Sequence, residues 1–258
     1  MAEKAVIITG AADGLGRATS IAAARAGYAV LLVDIDQARL EETARLVKAA
    51  GGEAVTAIAD VSNEDDVAAY VAKAVAAFGR IDGLFNNAGI QGALGPMVKY
   101  SAADFDQVIA VNLKGVFLGL KHVLQVMLRQ GSGSIVNTGS MLSTGGVPGF
   151  TGYGAAKYGV ISLTKTAALE VARTGVRVNA VLPGNIKTKM SLANTPGGSE
   201  AESEAMAAST VPQRRMGTCD EIADAVIFLF SDASKHITGI ELAVDGGISA
   251  QVYPSLGI

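Results

Sequence analysis

Seven short apolar runs rich in β-forming residues recur along the chain, at residues 5–9, 29–33, 54–58, 83–85, 134–137, 176–181 and 241–244. Stretches of helical spacing separate them. Such runs lack the alternation of a half-exposed strand, so both faces of each strand must be covered. Parallel strands in turn need a crossover of a dozen residues or more, usually a helix. The pattern therefore predicts an α/β fold: a doubly wound parallel seven-stranded sheet with helices on both faces.

The expected helices cover 15–26, 37–50, 63–77, 101–129, 152–173 and 219–230. The third opens on Ser62 and Asn63 as caps, with acids in its first turn. No Pro/Ser linker or charge block divides the 258 residues, and their number suits one domain, 1–258. Residues 190–216 break the pattern. They are rich in Ala, Ser, Gly and Glu and contain Asn194-Thr195-Pro196-Gly197-Gly198, which suggests a substrate lid or disorder.

Composition excludes several classes. A net charge of −3 with 17% charged residues leaves no basic field for nucleic acid or an anionic membrane surface. Mean hydropathy is +0.36, yet the best candidate for a membrane span, 105–128, is interrupted by Asn112, Lys114, Lys121 and His122. The apolar excess reads instead as helix–sheet packing and subunit interfaces. The N-terminus lacks the apolar run of a signal peptide, and the single Cys219 forms no internal disulfide. These features predict a cytoplasmic protein without a metal site.

The first strand runs into Gly10-Ala11-Ala12-Asp13-Gly14-Leu15-Gly16 and then a helix. Glycines there bring backbone amides and a positive helix N-terminus against a pyrophosphate with no side chain intervening. Placed in the first strand–helix turn, they make the sheet Rossmann-type and dinucleotide-binding. Asp34 ends the second strand, 18 residues beyond Gly16. A carboxylate there accepts hydrogen bonds from ribose hydroxyls and repels a 2′-phosphate, which favours NAD over NADP. Acidic Asp13 and apolar Ile35 agree, while Arg17 and Arg39 keep NADP open.

Tyr153 and Lys157 are spaced i, i+4, on one face of a helix. A phenol with a pKa of about 10 ionises more readily beside an ammonium and can then exchange a proton with an alcohol. Ser140, 13 residues before Tyr153 and just past a strand end, can hydrogen-bond the reacting oxygen. Each of these features, taken alone, is commonplace.

Together they resemble the short-chain dehydrogenase/reductase family. Thr9-Gly10-x-x-x-Gly14-x-Gly16, Asp60-Val61, Asn86-Asn87-Ala88-Gly89, Asn112, Ser140, Tyr153-x-x-x-Lys157, Pro183-Gly184 with Thr188, and Asp245-Gly246-Gly247 follow the family's order over residues 4–248. The resemblance implies that Tyr153 is the general acid/base and that Lys157 lowers its pKa and binds the nicotinamide ribose. Ser140 would orient the substrate oxygen, and Asn112 would hold a water linking Lys157 to solvent. Asp60 and Val61 would edge the adenine beside Asp34 and Ile35. Asn87, Ala88 and Gly89 would either pass the cofactor or tie the central strand together. Pro183, Gly184, Ile186 and Thr188 would line the nicotinamide end, and Gly10, Asp13, Gly14, Leu15 and Gly16 the pyrophosphate.

The expected pocket is apolar and uncharged: Gln91, Ser140, Met141, Leu142, Val147, Phe150, Tyr153 and Met190. It suits a small neutral cyclic or aryl alcohol or ketone. Segments 80–83, 115–120 and 130–133 are similar to family members that act on cyclic ketones and alcohols. Acyl-carrier-protein ketoesters, steroids and dihydrodiols are alternative substrates. A non-catalytic dinucleotide sensor is opposed by intact Ser140, Tyr153, Lys157 and Asn112. The resemblance further implies a homotetramer, with the tail 249–258 as one contact.

Overall fold

The computed structural model describes residues 4–192 and 199–251. Residues 193–198 of the expected lid and the tail beyond Gln251 lie outside them. Seven strands form one sheet: β1 (Lys4–Thr9), β2 (Tyr28–Asp34), β3 (Ala54–Ile58), β4 (Gly83–Asn86), β5 (Gly133–Thr138), β6 (Val176–Pro183) and β7 (Glu241–Val244). All pairings are parallel, in the order β3-β2-β1-β4-β5-β6-β7. The doubly wound sheet expected from the alternation is therefore present.

Alternate residues of each strand feed two cores. Ile7, Leu31, Ile135 and Val178 point to one face, where they meet α3 (Glu64–Phe78), α5 (Gly115–Gln130) and α6 (Thr151–Val171). Val6, Ile8, Leu32 and Val136 point to the other, against α1 (Gly14–Arg25), α2 (Gln37–Ala49) and α9 (Cys219–Phe230). This two-sided burial explains why the strands read as continuous apolar runs.

Local signals set the helix ends. Asn63 caps α3 by accepting from the Asp65 and Asp66 N–H groups, and Gly79 closes it with φ +74°. Thr218 and Glu221 form a capping box on α9. The single helix expected over 101–129 is instead α4 (Ala102–Ile109), a π-helical turn Ala110–Lys114, and α5. That rod, Ala102–Gln130, is long and apolar enough to cross a membrane by length and composition. Its Val116, Leu120, Val123 and Met127 are buried in the core.

The segment expected to be irregular contains α7 (Lys189–Leu192) and α8 (Glu200–Thr210). Ser199 and Glu202 form the capping box that starts α8. Ala207, Val211 and Met216 make a small core of their own, with Ile248 packed on it. Gln213 N–H donates to the Gly246 carbonyl at 3.2 Å, and Gln251 Nε2 reaches the Thr210 carbonyl at 3.3 Å.

Candidate active site

The site lies at the C-terminal edge of the sheet, between the neighbours β1 and β4, whose onward connections run to opposite sides so that the winding reverses. Three glycines shape its phosphate turn, for different reasons. At Gly10, φ is +67° and a Cβ would come within 2.9 Å of Ala88 Cα and Asn87 Nδ2. At Gly16, a Cβ would lie 2.0 Å from the Gly10 carbonyl oxygen. Gly14 differs: φ is +52°, but nothing lies nearer to its added Cβ than Thr188 Cγ2 at 3.7 Å. Two glycines thus close the turn, and the third adds no side chain of its own at the N-terminus of α1. A helix N-terminus with no side chain at its glycine, flanked by close backbone, is a cradle that fits a dinucleotide pyrophosphate.

Asp13 caps that helix by accepting the Gly14 N–H at 2.9 Å, and it pairs with Lys189 at 2.6 Å and Arg39 at 3.9 Å. Burial opposes its ionisation, but the Lys189 ammonium and the Gly14 N–H hold its carboxyl below the usual range. Asp34 accepts the Ala12 N–H at 3.0 Å and the Asp36 N–H at 3.1 Å. Ile35 beside it is 72% exposed, an apolar surface free for a ligand. Both arginines that had kept NADP open are engaged. The Arg17 guanidinium donates to the Ala12 carbonyl and to Thr43 Oγ1, and Arg39 pairs with Asp36 at 3.4 Å as well as Asp13. Asp60 accepts from the Ser62 N–H and hydroxyl, while Val61 is buried against Gly115.

The Asn-Asn-Ala-Gly segment ties three strands together. Thr9 Oγ1 accepts the Asn87 and Ala88 N–H groups at 2.9 and 3.0 Å. Asn87 Nδ2 donates to the Thr9 carbonyl at 3.0 Å, and Thr138 Oγ1 donates to Asn87 Oδ1 at 3.2 Å. Asn86 links the Val116 carbonyl and Asn137. Gly184 likewise has a packing role, since a Cβ there would lie 2.6 Å from Asp245 Cβ. Pro183 ends β6, Ile186 bridges Gly217, and Thr188 Oγ1 accepts the Ser191 N–H at 3.1 Å.

Tyr153 sits in the first turn of α6, one turn before Lys157. Ser140 stands just past β5 at the head of a 3₁₀ turn, Met141–Ser143, and its Oγ accepts the Leu142 N–H at 3.2 Å. The Tyr153 phenol faces the Ser140 hydroxyl, whose contact favours the ionised form. Burial holds the Tyr153 phenol above its ordinary range, and the Ser140 contact offsets only part of that rise. Lys157 Nζ lies 5.5 Å from the Tyr153 ring centroid and donates to the Thr138 carbonyl at 2.7 Å. Burial lowers its pKa to about 8, so near neutral pH it is still mostly cationic. A phenol, a hydroxyl and an ammonium thus converge where a proton can be exchanged with a bound alcohol.

Asn112 is placed differently from a simple water ligand. Its amide spans the Ile90 backbone, accepting the N–H at 2.7 Å and donating to the carbonyl at 2.6 Å. It sits in the π-helical turn and fixes the loop that leads to Gln91. Phe150 stacks edge-on to Tyr153 at 6.3 Å. Val147 and Met190 are 42% and 40% exposed near the site's loops, whereas Leu142 is buried and serves Ser140 through its amide. Sequence reasoning missed Thr138 and Lys189. The first acts through a backbone carbonyl, which no side-chain motif reveals. Among the described residues, no three His, Cys, Asp or Glu side chains group as a metal site.

A family model described as enoyl-(acyl carrier protein) reductase matches residues 10–249. Levodione reductase of Leifsonia aquatica is 44% identical over 96% of this chain and 95% of its own length. A crystal structure of levodione reductase aligns with a TM-score of 0.93, at 42% identity, covering 97% of this chain and 98% of that one. Cis-4-hydroxycyclohexanecarboxylate dehydrogenase of Sinomonas cyclohexanicum is 41% identical, covering 96% of this chain and 98% of its own. The crystal structure of an NAD⁺-bound xylitol dehydrogenase aligns at TM-score 0.88 and 37% identity, over 95% of this chain and 98% of that one.

Proposed function

This chain belongs to the short-chain dehydrogenase/reductase family, and on that premise we propose that it interconverts a small neutral cyclic secondary alcohol and its ketone with NAD as cofactor. It is an oxidoreductase using a nicotinamide dinucleotide, which when bound supplies the hydride acceptor or donor. The observation that carries the reading is that the Tyr153 phenol has the Ser140 hydroxyl beside it and the Lys157 ammonium 5.5 Å from its ring centroid.

In oxidation, Tyr153 takes the hydroxyl proton as phenolate, and in reduction it returns that proton to the ketone oxygen. Ser140 Oγ accepts the Leu142 N–H, and its one proton, which faces Tyr153 in the absence of substrate, would turn to the reacting oxygen when an alcohol or ketone is bound. Lys157 favours the phenolate through its charge. Asn112 fixes the loop before Gln91, and a water between Lys157 and solvent would complete the proton path. The Gly14 cradle would hold the pyrophosphate, with Leu15 beside it, while Ile186 and Thr188 would border the nicotinamide end.

The preference for NAD rests on Asp34 and on the engagement of Arg17 and Arg39, which leaves a 2′-phosphate without a ready cation. The substrate class rests on relatives named for cyclic compounds and on apolar side chains, with Phe150 against Tyr153 and Val147 and Met190 exposed on the neighbouring segments. The reading extends to a cytoplasmic homotetramer, supported by exposed Tyr158 and Leu169 on α6.

Two measurements test it. Cyclic and open-chain alcohols and ketones are compared by NADH absorbance, with cyclic ones expected to turn over fastest. Tyr153→Phe should bind NADH as the parent does yet lose turnover by about 10²-fold or more. Unchanged turnover would remove Tyr153 from the reaction.

A further inference from the structure

Ser143 takes no part in the scheme above, yet it joins the two elements that carry the reacting groups. Its Oγ accepts the Ser140 N–H at 3.1 Å and donates to the Lys157 carbonyl oxygen at 3.1 Å. Its own N–H donates to the Ser140 carbonyl at 2.8 Å. Ser143 is 4% exposed, Ser140 5% and Lys157 3%, so water cannot readily replace these bonds. The Lys157 carbonyl lies inside α6, and a carbonyl oxygen has a second lone pair for such a contact. One hydroxyl therefore fastens the backbone of the Ser140 turn to the helix bearing Tyr153 and Lys157.

We propose that Ser143 is a positioning residue for the reaction, setting where the Ser140 hydroxyl stands relative to the Tyr153 phenol. It acts through Ser140. The inference rests on the reading of Ser140 and Tyr153 as the pair that meets the reacting oxygen. Its chemistry needs a hydroxyl at 143, because both an acceptor and a donor are used.

A double-mutant cycle on the full chain tests this, with cyclohexanol and NAD as the probe. Ser143→Ala should lower kcat about 10- to 100-fold, as small misplacements of reacting groups do. Its Kd for NADH, read by fluorescence, should stay within about twofold of the parent. Ser140→Ala should lower kcat at least as far, and adding Ser143→Ala to it should change kcat by no more than about twofold. Losses that multiply in the double variant would overturn the proposal, as would parental kcat in Ser143→Ala. Full turnover in Ser140→Ala would instead remove the underlying reading of Ser140.

Ser143→Thr, which keeps the hydroxyl, should recover most of the rate. Ser143→Cys, close in size but weak in hydrogen bonding, serves the same arm if the alanine variant fails to fold. A readout without substrate follows the Tyr153 phenol by ultraviolet difference titration against Tyr153→Phe in each background. Its midpoint should rise in Ser143→Ala as it does in Ser140→Ala, with Lys157, 5.5 Å from the ring centroid, unaltered in both. A midpoint unmoved by Ser143→Ala while Ser140→Ala shifts it would refute the coupling.

Discussion

Alanine substitutions at Gly14 and Gly16, two residues apart, should fail in opposite ways. At Gly16 the new Cβ would stand 2.0 Å from the Gly10 carbonyl oxygen, 2.6 Å from its carbon and 3.0 Å from Ala11 Cα. Nonbonded carbons rest at about 3.5–4.0 Å, and all three neighbours are backbone, with no side chain to swing aside. Overpacking of this kind costs about 3 kcal/mol or more. In a chain of this size that lowers Tm by about 6–12 °C. At Gly14 the nearest atom is 3.7 Å away, so only the left-handed backbone is strained. That strain costs about 1–2 kcal/mol and is offset by about 0.4–1 kcal/mol of lost freedom in the unfolded chain. Gly14→Ala should therefore lose at most about 1.6 kcal/mol and fold with a Tm within about 6 °C of the parent. Its methyl nevertheless stands at the N-terminus of α1, and NADH affinity should fall by about tenfold or more, the effect of losing about 1.4 kcal/mol at an anion-binding terminus. Thermal melts and NADH fluorescence titration read the two effects separately. Wild-type NADH affinity in Gly14→Ala, or a Tm loss matching that of Gly16→Ala, would refute the division of labour in the turn.

Lys157 carries a stability cost as well as a function. Burial lowers its pKa from 10.5 to about 8. Between those values the unfolded chain binds the proton and the folded one does not, so this contribution to stability rises with pH from about 8 to about 10.5. Lys157→Met should raise the cofactor-free Tm near pH 7 while abolishing turnover, and its advantage should shrink as pH climbs through that window. An advantage that grows with pH would contradict the burial argument. Asp34→Ala with Ile35→Arg should raise kcat/KM with NADPH relative to NADH, and a parent that already prefers NADPH would overturn the reading of Asp34. Tyr70 is 2% exposed, and its hydroxyl has no hydrogen-bond partner among the described residues. Tyr70→Phe should match or exceed the parent in stability, by about 1 kcal/mol at most, as measured by chemical denaturation.

The strands were legible because the sheet's demands are local. β3 and β7 begin and end at the residues expected from their apolar runs, 54–58 and 241–244. The same was true of α9, which starts at its Thr218 cap. The π-helical turn was not legible, because its cause is tertiary. Asn112 reaches a backbone segment 22 residues away, and no periodicity encodes that. α8 was missed although Ser199-x-x-Glu202 is a legible start signal, since only Ser203 and Ala207 of that helix are buried and no apolar stripe advertises it. The roles in the site divide similarly. The order Ser140, Tyr153, Lys157 stands in the sequence, but the Thr138 carbonyl and the Ser143 hydroxyl act through backbone contacts that only folding creates.

The small core shared by α8 and residue 248 has a dynamic consequence. Ala207, Val211, Met216 and Ile248 touch one another apart from the two main cores, so this corner can exchange its amide protons as a unit of its own, independent of the sheet. Selection for new substrates would then find a handle at Ile248, where a change of volume resets the breathing of the rim without touching any group that handles the proton.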